Sequence, residues 1–163
     1  MIERVQPNAV PESDAPFSQI VLDDCYAYLS GLVAADFPHG LAVLGDVGAE
    51  TRVVMGVISD MLNEVGLNLE DVVKAEVHLA DLNDFDAMDA AYREYFPPKV
   101  YPARTTTESP KLFGGSKVEV TVQARLRNVP QKGNQERGRA AQFFETTSVN
   151  NRRIYIAYYC HIF

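Results

Sequence analysis

Only two cysteines occur in the chain, Cys25 and Cys160, far apart and without a CxxC spacing. Neither a disulfide framework nor a zinc site is indicated, and both are expected to be reduced. His39, His78 and His161 are scattered as well, with no metal-ligand spacing. No stretch approaches the roughly 20 continuous apolar residues of a membrane helix. The start, Met1-Ile2-Glu3-Arg4, lacks the basic-then-apolar order of a secretory signal, so the expected compartment is the cytoplasm and no membrane partner is expected. Basic charge is scarce and uneven. Residues 1–128 carry 20 acidic against 10 basic side chains, a formal −10, whereas residues 129–163 carry 2 against 5, a formal +3. A body this acidic, without a basic stripe, argues against nucleic acid as its main ligand. It leaves room for a small anion held at one arginine.

What is present is a chain of 163 residues with 47% hydrophobic content, enough for one domain with a real core and too short for two ordinary ones. Residues 18–30 read as a β-hairpin turning at Asp23-Asp24, with Cys25, Ala27 and Leu29 alternating against Tyr26, Tyr28 and Ser30. Asp46 offers an N-cap to a helix whose apolar positions Val47, Val54, Ile58, Met61, Leu62 and Val65 recur at helical spacing until Gly66 stops it. Val73, Ala75, Val77 and Leu79 alternate with polar residues, as in a strand with one core face. A second helix carries Leu82, Phe85, Met88, Tyr92, Tyr95 and Phe96 on one stripe and ends at Pro97-Pro98. Strands near Ala103–Glu108 and over residues 117–127 complete the domain. This order predicts an α+β two-layer fold: a mixed sheet with both helices on one face. The other face is left for solvent or for a closed homo-oligomer to cover.

Two residues of this outline carry chemistry. Arg104, in Tyr101-Pro102-Ala103-Arg104-Thr105-Thr106, is a guanidinium with no carboxylate close by in its own segment. Glu119 projects from the polar side of the run Val118-Glu119-Val120-Thr121-Val122. An arginine to hold a small carboxylate and a glutamate to handle a proton would make a compact site. The plainer readings stand beside it: Arg104 paired with Glu108 or with an acidic neighbour across the sheet, Glu119 solvated, and the Ser30 hydroxyl capping its own backbone.

The ordered set Pro16-Phe17-Ser18, Ser30-Gly31, Asp81-Leu82-Asn83-Asp84-Phe85, Tyr92 with Phe96, Pro102-Ala103-Arg104 and Val118-Glu119-Val120 resembles the YjgF/Rid family of reactive intermediate deaminases. The resemblance spans residues 1 to about 128, and its most specific part is Pro-Ala-Arg with the following glutamate strand. It implies a chorismate-mutase-like α+β fold assembled as a homotrimer, with sites in the clefts between subunits. It also implies hydrolysis of enamines and imines such as 2-aminoacrylate to 2-keto acids and ammonia, without metal or cofactor. On the matching positions, Arg104 would hold the substrate carboxylate and Glu119 would orient water and shuttle a proton. Ser30, the Gly31 backbone and the Thr106 backbone would line the pocket, with Phe17 packing over the ligand. Phe17 stands where deaminase members commonly carry tyrosine, Leu32 where glutamine is frequent, and Thr106 where cysteine is common. Phe17 and Leu32 feed a rival reading, a noncatalytic metabolite-binding or protein-interaction trimer of the same fold.

From Val129 the resemblance ends, so the expected organisation is a Rid-like domain over residues 1–128 and an extension over 129–163. Residues 131–139 read as a polar, basic linker, and Ile154-Tyr155-Ile156-Ala157-Tyr158-Tyr159 as a β-prone run. An added edge strand and a foreign extension are both open, and the charge reversal favours the second.

Overall fold

The computed structural model describes residues 1–127 and two short strands beyond them. The chain divides into two compact units, Met1–Asn128 and Val129–Phe163. In the second unit Thr147–Val149 (β8) pairs antiparallel with Arg152–Ile154 (β9), Thr147 lying opposite Ile154. The linker read over residues 131–139 and the residues 155–159 of the β-prone run lie outside the described residues.

The first unit opens with β1 (Glu3–Val5), β2 (Ile20–Leu22), β3 (Tyr26–Leu29) and the short β4 (Leu32–Val33). The hairpin between β2 and β3 forms as its alternation predicts, because Asp23 closes the turn. Its carboxylate accepts from the Cys25 and Tyr26 N–H groups, both at 2.6 Å, and these bonds hold its pKa below the ordinary carboxylate value. A single-turn helix, α1 (Pro38–Leu41), leads to α2 (Val47–Glu64). The Asp46 carboxylate caps α2 by accepting from Ala49 N–H at 3.0 Å. Gly66, at φ 76°, supplies the left-handed backbone that ends it. β5 (Val72–Leu79), α3 (Phe85–Arg93), β6 (Ala103–Glu108) and β7 (Val118–Arg125) follow.

The sheet runs in the order β1-β2-β3-β7-β5-β6, with β4 also on β7. β5 and β6 are parallel, and the other pairs are antiparallel. The sheet is therefore mixed and the unit α+β, as the element order predicts. Val118, Val120, Val122 and Ala124 of β7 are buried in one core with Val54, Ile58, Met61 and Leu62 of α2, Met88 and Tyr92 of α3, and Phe96 in the turn after it. Glu119, Thr121 and Gln123 point to the opposite face and remain half-buried.

Two expected core residues fall outside it. Val73 is 41% exposed, because a bulge between Val72 and Lys74 gives the inward position to Val72. Leu82 is 47% exposed, because residues 82–84 form a 3-10 turn before α3 begins, which takes Leu82 off the helical stripe.

Candidate functional site: two separated clefts

β7 presents Glu119 by simple alternation: with Val118 and Val120 inward, Glu119 must face away from the helices. Its neighbours in register are Val33 on β4 and His78 on β5. Gly31 lies against it so closely that a Cβ there would sit 2.2 Å from Glu119 Oε1. The glycine is required by that close approach rather than by its backbone angles. Among the described residues the Glu119 carboxylate has no ion pair and no hydrogen bond. It lines a cleft of about 540 Å³ together with Phe17, Gln19, Gly31, Asp36 and Phe113. Phe17 is 53% exposed, available to pack on a ligand. Burial pushes the Asp36 carboxyl above its ordinary pKa, opposed by the hydrogen bond from Val33 N–H. The Ser30 hydroxyl donates to the Ser18 carbonyl at 2.7 Å, so it braces the strap that carries Phe17. Leu32 is 3% exposed and opposite Val120, so this departure from the family pattern is mainly a core contact.

Arg104 lies elsewhere. Its register partner on β5 is Ala75, an inward residue, and paired residues of parallel strands face the same way. Arg104 therefore faces α3, and Thr106, opposite Val77, follows it. The Arg104 Cζ lies 4.8 Å from the centre of the Tyr92 ring and 5.6 Å from that of Phe85. Its Nη2 donates to Asp89 Oδ1 at 2.6 Å, and Asp89 also accepts from Arg93. The in-chain anion is thus an α3 residue, rather than Glu108 or a neighbour across the sheet; Glu108 instead accepts from Leu82 N–H at 3.0 Å. Burial works to raise the Asp89 pKa, but the bonds and charges of Arg93 and Arg104 hold it below the ordinary value. Asp89, Tyr92, Arg93, Tyr101, Pro102 and Arg104 line a cleft of about 330 Å³. The Tyr92 hydroxyl is buried without a hydrogen-bond partner among the described residues. Burial raises its pKa to about 12, with the Arg104 charge opposing.

The structure therefore brings Phe17, Gly31 and Glu119 together, with Ser30 behind them, and sets Arg104 and Thr106 apart. Glu119 and Arg104 stand on opposite faces of the sheet, two strands and three residues apart, roughly 14 Å from β-sheet spacings alone. Asp89 and Gln19 are absent from the expected set. The signal for Asp89 was its spacing, four residues after Phe85 and three before Tyr92, a carboxylate inside the apolar stripe. Gln19 is 8% exposed with its Oε1 unpartnered among the described residues. Among those residues no group of three His, Cys, Asp or Glu side chains is arranged to hold a metal ion, and no helix is long and apolar enough to cross a membrane.

Comparison with known proteins places these features in a family. Residues 7–126 match the family described as Endoribonuclease L-PSP. The human 2-iminobutanoate/2-iminopropanoate deaminase is 35% identical over 121 residues, covering 74% of this chain and 88% of its own. A RutC family protein of Pyrococcus abyssi is 37% identical over 102 residues, covering 63% of this chain and 80% of its own. The crystal structure of a conserved Rid family protein from Yersinia pestis superposes with a TM-score of 0.71 at 26% identity, covering 77% of this chain and all (100%) of that one. Match, identity and coverage agree: the chain belongs to the YjgF/Rid family.

Proposed function

We propose that this protein is a hydrolytic enamine/imine deaminase that converts short 2-imino acids, of the 2-iminopropanoate and 2-iminobutanoate type, to 2-keto acids and ammonia. The observation that carries the reading is the complementarity of the two clefts. One holds a guanidinium with an uncommitted edge; the other holds a carboxylate with no partner among the described residues. The name of the human relative, 35% identical, supports the choice of reaction.

The split between the clefts supports a site assembled between subunits. A closed ring in which the Arg104 cleft of one subunit meets the Glu119 cleft of the next would unite the halves, and a homotrimer is the smallest ring that does so head to tail. Arg104 then holds the substrate carboxylate through paired N–H donors. Glu119 takes a proton from water as its oxygen attacks C2 of the imine, giving a carbinolamine. The same carboxyl first passes that proton to the nitrogen to complete the carbinolamine, then takes the hydroxyl proton and delivers it to nitrogen as the C=O forms and the C–N bond breaks, releasing ammonia and leaving the 2-keto acid. An enamine enters the sequence after protonation at C3. Because an imine is already electrophilic, holding it beside one water supplies most of the benefit. Phe17 packs over the ligand, and the Gly31 and Thr106 backbones line it; the reaction as written needs no cofactor.

The test is a coupled assay in which an amino-acid oxidase generates the imine and hydrolysis is followed. Arg104→Ala is expected to leave only the uncatalysed rate, and equal acceleration by that variant would sink the assignment. Phe17, which lacks a phenol hydroxyl, favours the rival reading of carboxylate binding without turnover. Saturable binding of a 2-keto acid with no rate enhancement would select that rival.

A further inference from the structure

The Arg104 cleft contains more than an arginine. Asp89 and Arg104 are both about four-fifths buried, with side-chain exposures of 21% and 20%, whereas Arg93, the other cation on Asp89, is 64% exposed. Arg93 bonds Asp89 from the solvent side of the cleft, so water screens it more than Arg104 and it offsets only part of the Asp89 charge felt inside. Arg104 spends one of its five donors on Asp89, and no other hydrogen bond from it occurs among the described residues. With Tyr92 and Phe85 against its faces, the guanidinium can neither rotate nor tilt freely. One edge is turned to Asp89 and another is left for a ligand. The buried, unpartnered Tyr92 hydroxyl in the lining of the same cleft points independently to a ligand acceptor there.

We propose that Asp89 is the positioning and specificity-determining residue of this cleft, fixing the Arg104 guanidinium and restricting the ligand to acids with a single carboxylate. The inference rests on the reading of Arg104 as the carboxylate binder. One incoming carboxylate meets Arg104 and is repelled modestly by Asp89. Among the described residues a second carboxylate on the same small molecule meets only Arg93 as a further cation, largely exposed and already bonded to Asp89, and it feels Asp89 as well. The preferred substrates are therefore 2-imino acids with apolar or uncharged side chains, supplied by oxidation or elimination reactions of neutral amino acids. Those derived from acidic amino acids are disfavoured.

The test uses the full chain and a matched pair of probes, 2-oxopentanoate and 2-oxoglutarate, titrated by calorimetry against wild type, Asp89→Asn and Asp89→Ala. The asparagine keeps an oxygen for Arg104 Nη2 and removes the charge. Because a dianion feels the lost charge twice, Asp89→Asn is expected to narrow the preference for the monocarboxylate by about fivefold, the size of a Coulomb interaction over about 8–10 Å at an effective dielectric near 40. Asp89→Ala also loses the tether, so its deaminase kcat is expected to drop and to be rescued in Asp89→Asn. An unchanged ratio of the two affinities in Asp89→Asn overturns the proposal, as does an unaltered kcat in Asp89→Ala. Arg104→Ala separates this failure from failure of the underlying reading: if it binds both probes as wild type does, Arg104 is not the carboxylate binder.

Discussion

The Glu119 cleft and the Arg104 cleft are built on opposite principles. Glu119 sits on a central strand, β7, flanked by β3, β4 and β5, and its carboxylate is kept free by a neighbour that has no side chain, Gly31. Arg104 sits on the edge strand β6 and is held by side chains that fill the space around it, Asp89, Tyr92 and Phe85. The carboxylate has room and no partner, while the guanidinium has partners on three sides and one open edge. A group that must gain and lose a proton is served by the first arrangement, and a group that must hold an anion in one orientation by the second.

The strongest test of this pairing mixes subunits. Glu119→Gln alone is expected to lower the deaminase rate by about 10²–10⁴-fold, and Arg104→Ala to abolish it. If each site takes one residue from each of two subunits, co-refolding the two variants in equal amounts restores about a quarter of the wild-type rate, since one interface in four unites the intact halves. No recovery despite confirmed subunit exchange breaks the two-subunit site.

Next in size is Gly31→Ala. The clashing atom is the end of a flexible side chain, so the fold is expected to survive while Glu119 is displaced by about an ångström, with a loss of about 10²-fold in kcat/KM. Wild-type activity with an alanine there would show that the position of Glu119 does not matter. Glu50→Ala acts on the same half through stability. This buried carboxylate accepts from Gly45 N–H at 2.6 Å and from Lys117 N–H at 2.7 Å, tying the entry of α2 to the start of β7. Leaving both donors unpaired is expected to cost about 2–4 kcal/mol in denaturant unfolding. Exchange protection should fall first in β7, with the Asp89–Arg104 contact retained.

The smallest effect is one of pH and belongs to the Arg104 half. Asp89 is depressed in the folded state, so its ion pair contributes above the unfolded carboxylate value of about 3.9 and is lost as the pH falls through the lower folded value. A carboxyl-carbon NMR titration in which Asp89 protonates above that ordinary value would mean that the pair does not form in solution.

The same contrast explains what the sequence could show. In β7 the valines mark every second position, so the outward direction of Glu119 is legible. The hairpin closed by Asp23 and the helix capped by Asp46 are legible for similar local reasons. In β6 the residues are Ala-Arg-Thr-Thr-Thr-Glu, with no apolar alternation to mark a face. Only the long-range register with β5 decides that Arg104 points toward α3. From the residues alone a single compact site is therefore the natural reading, and only the family resemblance implies sites between subunits; the division into two clefts within one chain depends on a pairing that local pattern does not encode. Asp89 escaped for a related reason: a carboxylate inside an apolar helical stripe looks like an interruption until the strand beneath supplies its arginine.

The placement of Arg104 on an edge strand has a consequence for how such a protein can change. Among the described residues β6 has a hydrogen-bonded neighbour on one side only, and the residues around Arg104 come mostly from α3 and the segment leading into β6. None of them lines the Glu119 cleft. On the roles proposed for Arg104 and Glu119, substitutions that retune which acid is held could therefore accumulate along one helix and one edge while the strand of Glu119 stays untouched. With those roles, ligand choice and chemistry would sit on separate, independently variable parts of the fold.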